Sequence, residues 1–496
     1  MSLPLIIQGG MGAGVSDWRL ANTVSRLGQL GVVSGTALDE ILARRLQDGD
    51  PGGHMRRALA AFPLPEMAER ILNKYYIEGG RGANVPYVTM AKHTKEGPRD
   101  VQEMCLVSNF VEVWLAREGH GNPVGINYLE KIQMPHLASM YGAMLAGVDF
   151  VLMGAGIPIR VPGVLDRYVH HEPAEYILHV YGAREEDDTM MHFAPREFVP
   201  LDLPPLKRPM FLAIISSNTL AATMLKKANG KVDGFIIEGQ TAGGHNAPPR
   251  GKMMLDEAGE PIYGDRDVVD LAKIAELGVP FWLAGGYGSP EGVRSALAAG
   301  ATGVQIGTAF AFTDESGMRE QYKRDLIAKA IAGTAKVFTN PIASPTGFPF
   351  KVAELEGTTS DSQVYLKRPR ICDLGYLREP YKKDDGTIGY RCSAEPVTIY
   401  LSKGGKIEDT VGRQCVCNAL MANIGMQQIR AGGKHVEVGL VTTGNDLVEI
   451  GRFLAPGKTS YTVAEVLENL LSGERIPAKS EDCVETLQAA GAGSLK

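Results

Sequence analysis

The sequence predicts an α/β fold: a TIM (β/α)8 barrel with helical insertions and a smaller C-terminal appendage. Short apolar runs of strand length alternate with segments of helical period, and this alternation is typical of a parallel sheet. Many of the 59 glycines directly follow the apolar runs, as the tight loops between strands and helices require. With 44% hydrophobic and 22% charged residues, the 496-residue chain can also bury a core of barrel size.

Eight apolar runs are predicted to form the barrel strands. They are Leu5–Gln8, Leu30–Ser34, Val124–Tyr128, Phe150–Gly154, Met210–Ile215, Val232–Glu238, Pro280–Ala284 and Val304–Gly307. The run Val85–Met90 could be a ninth strand, but it lies within a long stretch between the second and third barrel strands. Helices are predicted between the strands at Met134–Gly147, Asn218–Ala228, Asp267–Leu277, Pro290–Ala299 and Met318–Ala332.

The barrel is predicted to occupy residues 1–343, and the appendage residues 344–496. Two insertions are placed at about residues 37–122 and 159–208. The first is expected to be mainly helical, with amphipathic pieces at Leu38–Leu46 and Met55–Ala60. The second contains four histidines and the acidic run Glu185–Asp188 without the spacing of a metal site, so we interpret it as a solvated excursion or lid. Beyond the turn-rich linker Ser344–Phe350 the alternation stops, and an α+β or mostly helical appendage is expected.

Composition and charge narrow the function classes. A formal net charge of −6 and an isoelectric point near 6.0 argue against a nucleic-acid partner, because nucleic-acid-binding proteins usually have a basic patch. No apolar run approaches the roughly 20 residues that span a bilayer, and the N-terminus lacks the basic region of a signal peptide. We therefore expect a soluble, cytoplasmic protein without membrane contact, and we leave a homodimer open.

Late in the chain, two consecutive predicted strands end in glycine, at Gly285-Gly286 and at Gly307-Thr308. Because glycine has no Cβ, backbone N–H groups at such strand ends can approach a phosphate closely. TIM barrels commonly build a phosphate site after their last two strands. The preceding strand runs into Gly243-Gly244-His245, which would place a histidine at the same rim. This pattern predicts a phosphorylated cofactor beside a candidate acid or base.

Five segments give the chain a family resemblance. They are Gln8–Met11, Pro123–Asn127, Glu238–His245, Leu283–Gly286 and Gly303–Phe310. In these segments, and in their order over roughly residues 4–335, the chain resembles the nitronate monooxygenase (2-nitropropane dioxygenase) family of FMN-dependent TIM-barrel enzymes, which includes FMN-dependent enoyl-acyl carrier protein reductases. The two insertions and the C-terminal third make it similar to an elongated subgroup such as the trans-acting enoyl reductases.

The resemblance implies noncovalent FMN and a catalytic histidine. The phosphate is expected at the backbone of Gly285, Gly286 and Gly307 and at the hydroxyl of Thr308, and Gly244 is expected to be a further cofactor-binding residue. The flavin ring is expected beside Gly9, Gly10, Met11, Asn127 and Gln305. Family members place a histidine where this chain has His245, as a base or substrate anchor in nitronate oxidation. Glu238, at the end of the same strand, is interpreted as a structural partner without a catalytic role.

Three functions follow from these residues. The first is the oxidation of an alkyl nitronate, a small-molecule substrate, by oxygen. The alternative is reduction of an enoyl thioester with NAD(P)H as co-substrate and an acyl carrier protein as partner, favoured by the insertions and by Gly154–Pro158, which resembles the reductase loop. A third is a flavin-binding subunit without turnover. Since no second nucleotide fingerprint is present, NAD(P)H would have to bind transiently over the flavin.

Four of the six cysteines lie within a short stretch of the C-terminal region. They are Cys372, Cys392, Cys415 and Cys417, whereas Cys105 and Cys483 lie elsewhere. Four thiolates could bind zinc or an iron–sulfur cluster. However, Cys415 and Cys417 are separated by one residue instead of two, and the other spacings are long. We favour small buried thiols and no metal site, and keep a metal or cluster as the alternative.

Overall fold

The structure is a computed structural model that describes residues 2–200 and 202–472. Its strands are β1 (Ile6–Gln8), β2 (Gly31–Ser34), β3 (Val124–Leu129), β4 (Phe150–Gly154), β5 (Ala174–Ile177), β6 (Met190–Phe193), β7 (Met210–Ile215), β8 (Gly234–Glu238), β9 (Phe281–Ala284), β10 (Gly303–Ile306), β11 (Val337–Asn340), β12 (Phe350–Ala353), β13 (Glu379–Lys382), β14 (Ile388–Arg391), β15 (Ile429–Arg430) and β16 (His435–Val436).

The helices lie between and after these strands. They are α1 (Trp18–Arg26), α2 (Leu38–Gln47), α3 (His54–Ala60), α4 (Pro65–Tyr75), α5 (Arg99–Arg117), α6 (His136–Leu145), α7 (Val161–Val169), α8 (Asn218–Lys227), α9 (Leu271–Ala275), α10 (Pro290–Ala298), α11 (Thr308–Ala311), α12 (Glu320–Ile331), α13 (Ser362–Lys367), α14 (Val397–Ser402), α15 (Val416–Asn423) and α16 (Val463–Leu471). Cys483, named in the sequence analysis, lies outside the described residues.

Eight strands form one parallel sheet in the order β1-β10-β9-β8-β7-β4-β3-β2. The two ends of this row also meet, because the Gln8 N–H donates to the Leu30 carbonyl at 2.9 Å and the Leu30 N–H donates to the Ile6 carbonyl at 3.1 Å. The sheet is therefore closed into a barrel, as predicted. All eight predicted strands are present, with ends that differ from the predicted ends by at most two residues.

Two predicted elements differ from the structure. Residues 85–90 form no strand; Pro86 lacks the N–H that a central strand needs, and Val85 and Val88 are exposed. The helix predicted at Asp267–Leu277 is only the short α9, because the Asp270 carboxylate caps its N-terminus.

The barrel packs as two concentric cores. Inside, alternate strand residues fill the interior around Trp282, whose indole N–H donates to the Pro4 carbonyl at 2.8 Å. Outside, the opposite strand faces pack against the helices in one large apolar cluster. Side chains fill the barrel interior, so it contains no central pore. A ligand site can therefore form only at the rim, where the carboxyl ends of the strands meet the loops.

Both insertions pack against other parts of the chain. The first contains α2–α5, and the long α5 packs between α1 and α6. The second contains α7 and the antiparallel pair β5–β6. Its Tyr181 N–H donates to the Pro380 carbonyl at 2.8 Å, and the Lys382 N–H donates to the Tyr181 carbonyl at 2.9 Å. The second insertion is thus hydrogen-bonded to the C-terminal region.

The C-terminal region returns to the barrel wall at its end. Antiparallel pairs β11–β12, β13–β14 and β15–β16 are followed by α16, which packs against α1 and α10. α16 therefore packs on the outside of the barrel between α1, which follows the first barrel strand, and α10, which precedes the last one. In the described part of the chain, no helix combines the length and the hydropathy needed to cross a membrane.

Candidate functional site

A cleft with a volume of about 200 Å³ opens at the carboxyl ends of the barrel strands. The structure brings all the sequence-predicted site residues to this cleft. Those residues are Gly9, Gly10, Met11, Asn127, Gly244, His245, Gly285, Gly286, Gln305, Gly307 and Thr308. Residues more than 290 positions apart therefore share one cavity, as the closed barrel requires.

The loop after β1 is held by a buried polar network. The Gln8 side chain accepts a hydrogen bond from the Val32 N–H at 3.0 Å and donates to Ser16 Oγ at 2.9 Å. Ser16 Oγ in turn donates to the Gly9 carbonyl and accepts from the Met11 N–H, both at 2.9 Å. Gln8 therefore shapes the cleft wall from below, and its side chain is fully buried.

Three glycines lie at cleft positions where a larger residue would clash with a neighbour or strain the backbone. A Cβ on Gly10 would lie 2.4 Å from the Asn127 Cβ, so a side chain at this position would displace Asn127. Gly285 and Gly286 adopt φ values of 85° and 83°, in the left-handed region that favours glycine. A Cβ on Gly285 would also lie 3.0 Å from Thr241 Oγ1. The backbone can approach a ligand closely at these points.

Gln305 leaves one polar atom without a partner in the cleft floor. Its Oε1 is buried and has no hydrogen-bond partner among the described residues. Nearby, Gly307 lies against Met11, with 3.4 Å between Sδ and the Cβ that a larger residue would carry. Gly244 is fixed from the other side, because its N–H donates to Thr442 Oγ1 at 3.0 Å. The cleft thus offers an unused acceptor between two close-packed backbone segments.

The hydroxyl of Thr308 contacts the C-terminal region. The Gly444 N–H donates to Thr308 Oγ1 at 3.0 Å, and Thr443 Oγ1 donates to it at 3.4 Å. Sequence reasoning missed this contribution to the cavity. The lining residues that follow position 343 are Phe350, Leu420, Thr442, Thr443, Gly444 and Asp446.

His245 is a neutral imidazole at the cleft wall. Burial, with a smaller effect of Lys131, lowers its pKa to about 4. Its Nε2 lies 2.6 Å from Ser344 Oγ, which also contacts Thr346 Oγ1 at 2.9 Å. The ring packs against Phe350 with 4.7 Å between the ring centroids. The imidazole is thus held in place and is available as a base near neutral pH.

Glu238, the last residue of β8, faces the same cleft. Burial raises its pKa to about 8, so this carboxyl is protonated near neutral pH. The sequence analysis interpreted it as a structural partner, but its carboxyl group makes no hydrogen bond to any described residue. A protonated carboxyl can donate a hydrogen bond, and its position beside the cleft makes it a functional candidate.

A second cavity of about 220 Å³ adjoins the first. Glu238 and His245 line both cavities, together with Ala155 and Ile214. Ala155 has a φ of 57°, a strained value for a residue with a side chain. The second cavity has a mixed lining, with apolar side chains such as Ile157, Ile215 and Leu220 and polar ones such as Gln240, Arg250 and Asp267. Two compartments therefore meet at the histidine and the carboxyl.

The fold and the cleft define a TIM barrel with a glycine-rich ligand site at its C-terminal face. Residues 204–343 match the family model of nitronate monooxygenase. This match agrees with the family resemblance predicted from the sequence, over residues 204–343 of the chain. This segment contains His245 and the late glycine strand ends, whereas Gly9–Met11 and Asn127 precede it.

Two curated proteins and one solved structure illustrate what the chain is similar to. A probable nitronate monooxygenase of Bacillus subtilis strain 168 is 34% identical over 139 residues, covering 27% of this chain and 38% of that protein. The nitronate monooxygenase of Pseudomonas aeruginosa is 33% identical over 140 residues, covering 27% and 37%. The chain thus spans less than half the length of these relatives. Nitroalkane oxidase from Streptomyces ansochromogenes aligns over 99% of this chain and 98% of its own, with 16% identity and a TM-score of 0.44.

Proposed function

We propose that this protein is an FMN-dependent oxidoreductase that oxidises alkyl nitronates with oxygen. The observation that carries the proposal is the neutral His245 at the wall of a glycine-lined cleft, within the segment that matches the nitronate monooxygenase family. An alkyl nitronate is a small anion with an acidic parent nitroalkane. A neutral base and a neutral hydrogen-bond donor at one cleft suit both forms of that substrate.

The residues of the cleft fit FMN. The unused Gln305 Oε1 offers an acceptor for a ring N–H, and the left-handed Gly285-Gly286 turn offers backbone that no Cβ shields. Gly9, Gly10, Met11 and Asn127 would flank the ring on the opposite wall. Gly244, Gly307 and Thr308 complete the set that would hold the phosphate side. When bound, FMN would supply the transfer of electrons from the substrate to oxygen.

His245 and Glu238 have separate roles in this proposal. His245 accepts the proton of a neutral nitroalkane or anchors the nitronate, while Ser344 and Phe350 fix the ring orientation. Glu238, protonated near neutral pH, donates a hydrogen bond to a substrate oxygen. Because both residues line the junction of the two cavities, we propose that the substrate binds in the second cavity.

Enoyl-thioester reduction with NAD(P)H is the second candidate. The observation that favours it is the second cavity, where Ile157, Ile215 and Leu220 could contact an acyl chain longer than that of a simple nitronate. In this alternative an acyl carrier protein would deliver the thioester. His245 and Glu238 would then orient the thioester carbonyl instead of handling a nitroalkane proton.

The cofactor is the first point to test. We expect the purified protein to show a flavin absorption spectrum and to release FMN, not an adenine dinucleotide, on denaturation. The cleft offers one phosphate site and the chain has no Rossmann fingerprint for an adenine nucleotide. A colourless protein that takes up no added FMN would overturn the proposal and both catalytic alternatives with it.

A further inference from the structure

The four C-terminal cysteines converge on one place in the fold. Cys415 Sγ lies 3.7 Å from the carbonyl of Ile371, the residue before Cys372. Arg370, two residues before Cys372, donates to the Ser393 carbonyl at 3.2 Å, which places Cys392 on the same side. Three chain segments, each with at least one cysteine, are therefore held against each other, although their spacing in the sequence is irregular.

The start of α15 is held against the segment of Cys372. The side chain of Asn418, the residue after Cys417, donates to the Ile371 carbonyl at 3.2 Å and to the Asp373 carboxylate at 3.0 Å. All four cysteines are free of disulfide bonds; Cys392 is buried and the other three are partly exposed. The grouping is thus one of free thiols from three chain segments. Small thiols that served only as core packing would not need to meet from three segments.

Charged side chains of both signs lie beside this group. The Arg368 side chain is 6% exposed, and its Nη2 is buried without a hydrogen-bond partner among the described residues. Its Nε donates to the Glu437 carboxylate at 2.5 Å, and Lys92 donates to the Cys372 carbonyl at 2.8 Å. The unpartnered Arg368 N–H can donate to a thiolate sulfur that binds a metal.

We propose that Cys372, Cys392, Cys415 and Cys417 bind an iron–sulfur cluster. Four cysteine thiolates are the usual ligand set of such clusters, and the buried Arg368 N–H would donate to a ligand sulfur. This reverses the preference for metal-free thiols that the sequence spacing supported. The proposal concerns the C-terminal region alone and does not depend on the function proposed for the cleft.

The C-terminal sulfurs do not have the close spacing of a tetrahedral zinc site. In tetrahedral zinc sites, Zn–S bonds of about 2.3 Å keep the sulfurs roughly 3.8 Å apart. Within the described residues, the trio whose ligand atoms all lie within 4.8 Å of one another is Asp39, His93 and Cys105. No three of the C-terminal sulfurs meet that limit. A polynuclear cluster spans several ångströms and is held by sulfurs at wider separation.

The site lies close to the cleft. Cys415 is the residue before α15, Cys417 lies in its first turn, and Leu420 on the same helix lines the cleft. Three residues of helix correspond to a rise of about 4.5 Å. A cluster held at the start of α15 would therefore lie near the cleft wall.

The test is metal analysis of the full-length protein prepared without air. We expect iron and acid-labile sulfide in equal amounts, about four of each per chain for a cubane cluster. Cys417→Ser should lose at least 90% of this iron, whereas the matched variant Cys105→Ser, in another buried thiol, should keep it. The far-ultraviolet circular dichroism spectrum of the same samples reports whether each variant is folded.

Other outcomes would overturn the proposal. Zinc in place of iron would show a mononuclear site, and wild-type protein with neither metal would show that the thiols are metal-free. Iron that persists in Cys417→Ser would be adventitious. Iron that is lost in Cys105→Ser but kept in Cys417→Ser would belong to the Asp39–His93–Cys105 trio. If Cys417→Ser does not fold, Cys372→Ser takes its place in the comparison, and wild-type protein without acid-labile sulfide would still exclude a cluster.

Discussion

At the residue scale, burial keeps two titratable groups neutral at the cleft by shifting their pKa values in opposite directions. It lowers the pKa of His245 to about 4 and raises the pKa of Glu238 to about 8. Near neutral pH one is therefore a free base and the other a protonated acid. Pairs of groups whose pKa values are pushed apart in this way are typical of acid–base sites.

His245→Ala should keep the fold and the flavin but lose turnover by about 10²–10⁴-fold, the usual contribution of a positioned acid or base. The loss should be larger with a neutral nitroalkane, which must be deprotonated, than with a preformed nitronate. Steady-state rates with both forms measure this difference. His192→Ala, an exposed histidine of the second insertion, is the matched control. Parent rates with both forms would make His245 only a loop residue, and equal losses would make it an anion anchor.

Glu238→Gln tests whether the carboxyl is buried in its neutral form. Between its ordinary pKa of 4.5 and the raised value of about 8, the folded state binds more protons than the unfolded state. Stability must then fall as pH rises through this window, and glutamine removes that contribution. We expect the wild type to lose more unfolding free energy than the variant between about pH 5 and pH 8. Denaturant titrations at both pH values measure it, and parallel losses would contradict the assignment.

At the element scale, the cleft depends on the left-handed turn after β9. Gly286→Leu should weaken FMN retention severalfold, because a side chain there would point into the ligand's approach. Gly300→Leu is a matched control, since Gly300 has a φ of 85° close to the 83° of Gly286 but lies in open space. Both variants share the backbone strain, so only the cleft differs. Equal FMN dissociation constants in the two variants would show that the phosphate does not bind at Gly286.

The sequence is sufficient to predict the barrel and the glycine rim because both depend on local signals. Each strand is an apolar run, and Gly285 and Gly307 directly follow such runs. The contact of Gly444 with Thr308 could not be predicted, because these residues are 136 positions apart and Thr442–Gly444 has no distinguishing pattern. The protonation of Glu238 could not be predicted from the sequence either. A glutamate at a strand end is expected to have a polar partner, and only the packed structure shows that its carboxyl group has none among the described residues.

At the scale of the whole molecule, the boundary predicted at residue 343 stays a prediction, but α16 joins the C-terminal region to the barrel wall. Leu470 is fully buried in that helix. Leu470→Ala should destabilise the protein by about 2–5 kcal/mol, as buried leucine truncations do. Loss of FMN and loss of helix signal should then coincide in one shifted denaturation curve. The half-exposed Ile399 is the control, and Ile399→Ala should change little.

A different result is expected if the C-terminal region unfolds independently of the barrel. Leu470→Ala would then shift only part of the helix signal, and FMN would be released at the wild-type denaturant concentration. That outcome would limit the barrel to the predicted residues 1–343 and leave the C-terminal cleft contacts as a weak interface.

The most direct test of the central proposal is reduction of the bound flavin without oxygen. The purified holoprotein is mixed under anaerobic conditions with a preformed alkyl nitronate and, separately, with NADPH. If the cleft oxidises nitronates, the nitronate will bleach the flavin absorption within a turnover time while NADPH leaves it unchanged. Bleaching by NADPH but not by nitronate would contradict the proposed function and support enoyl-thioester reduction in its place.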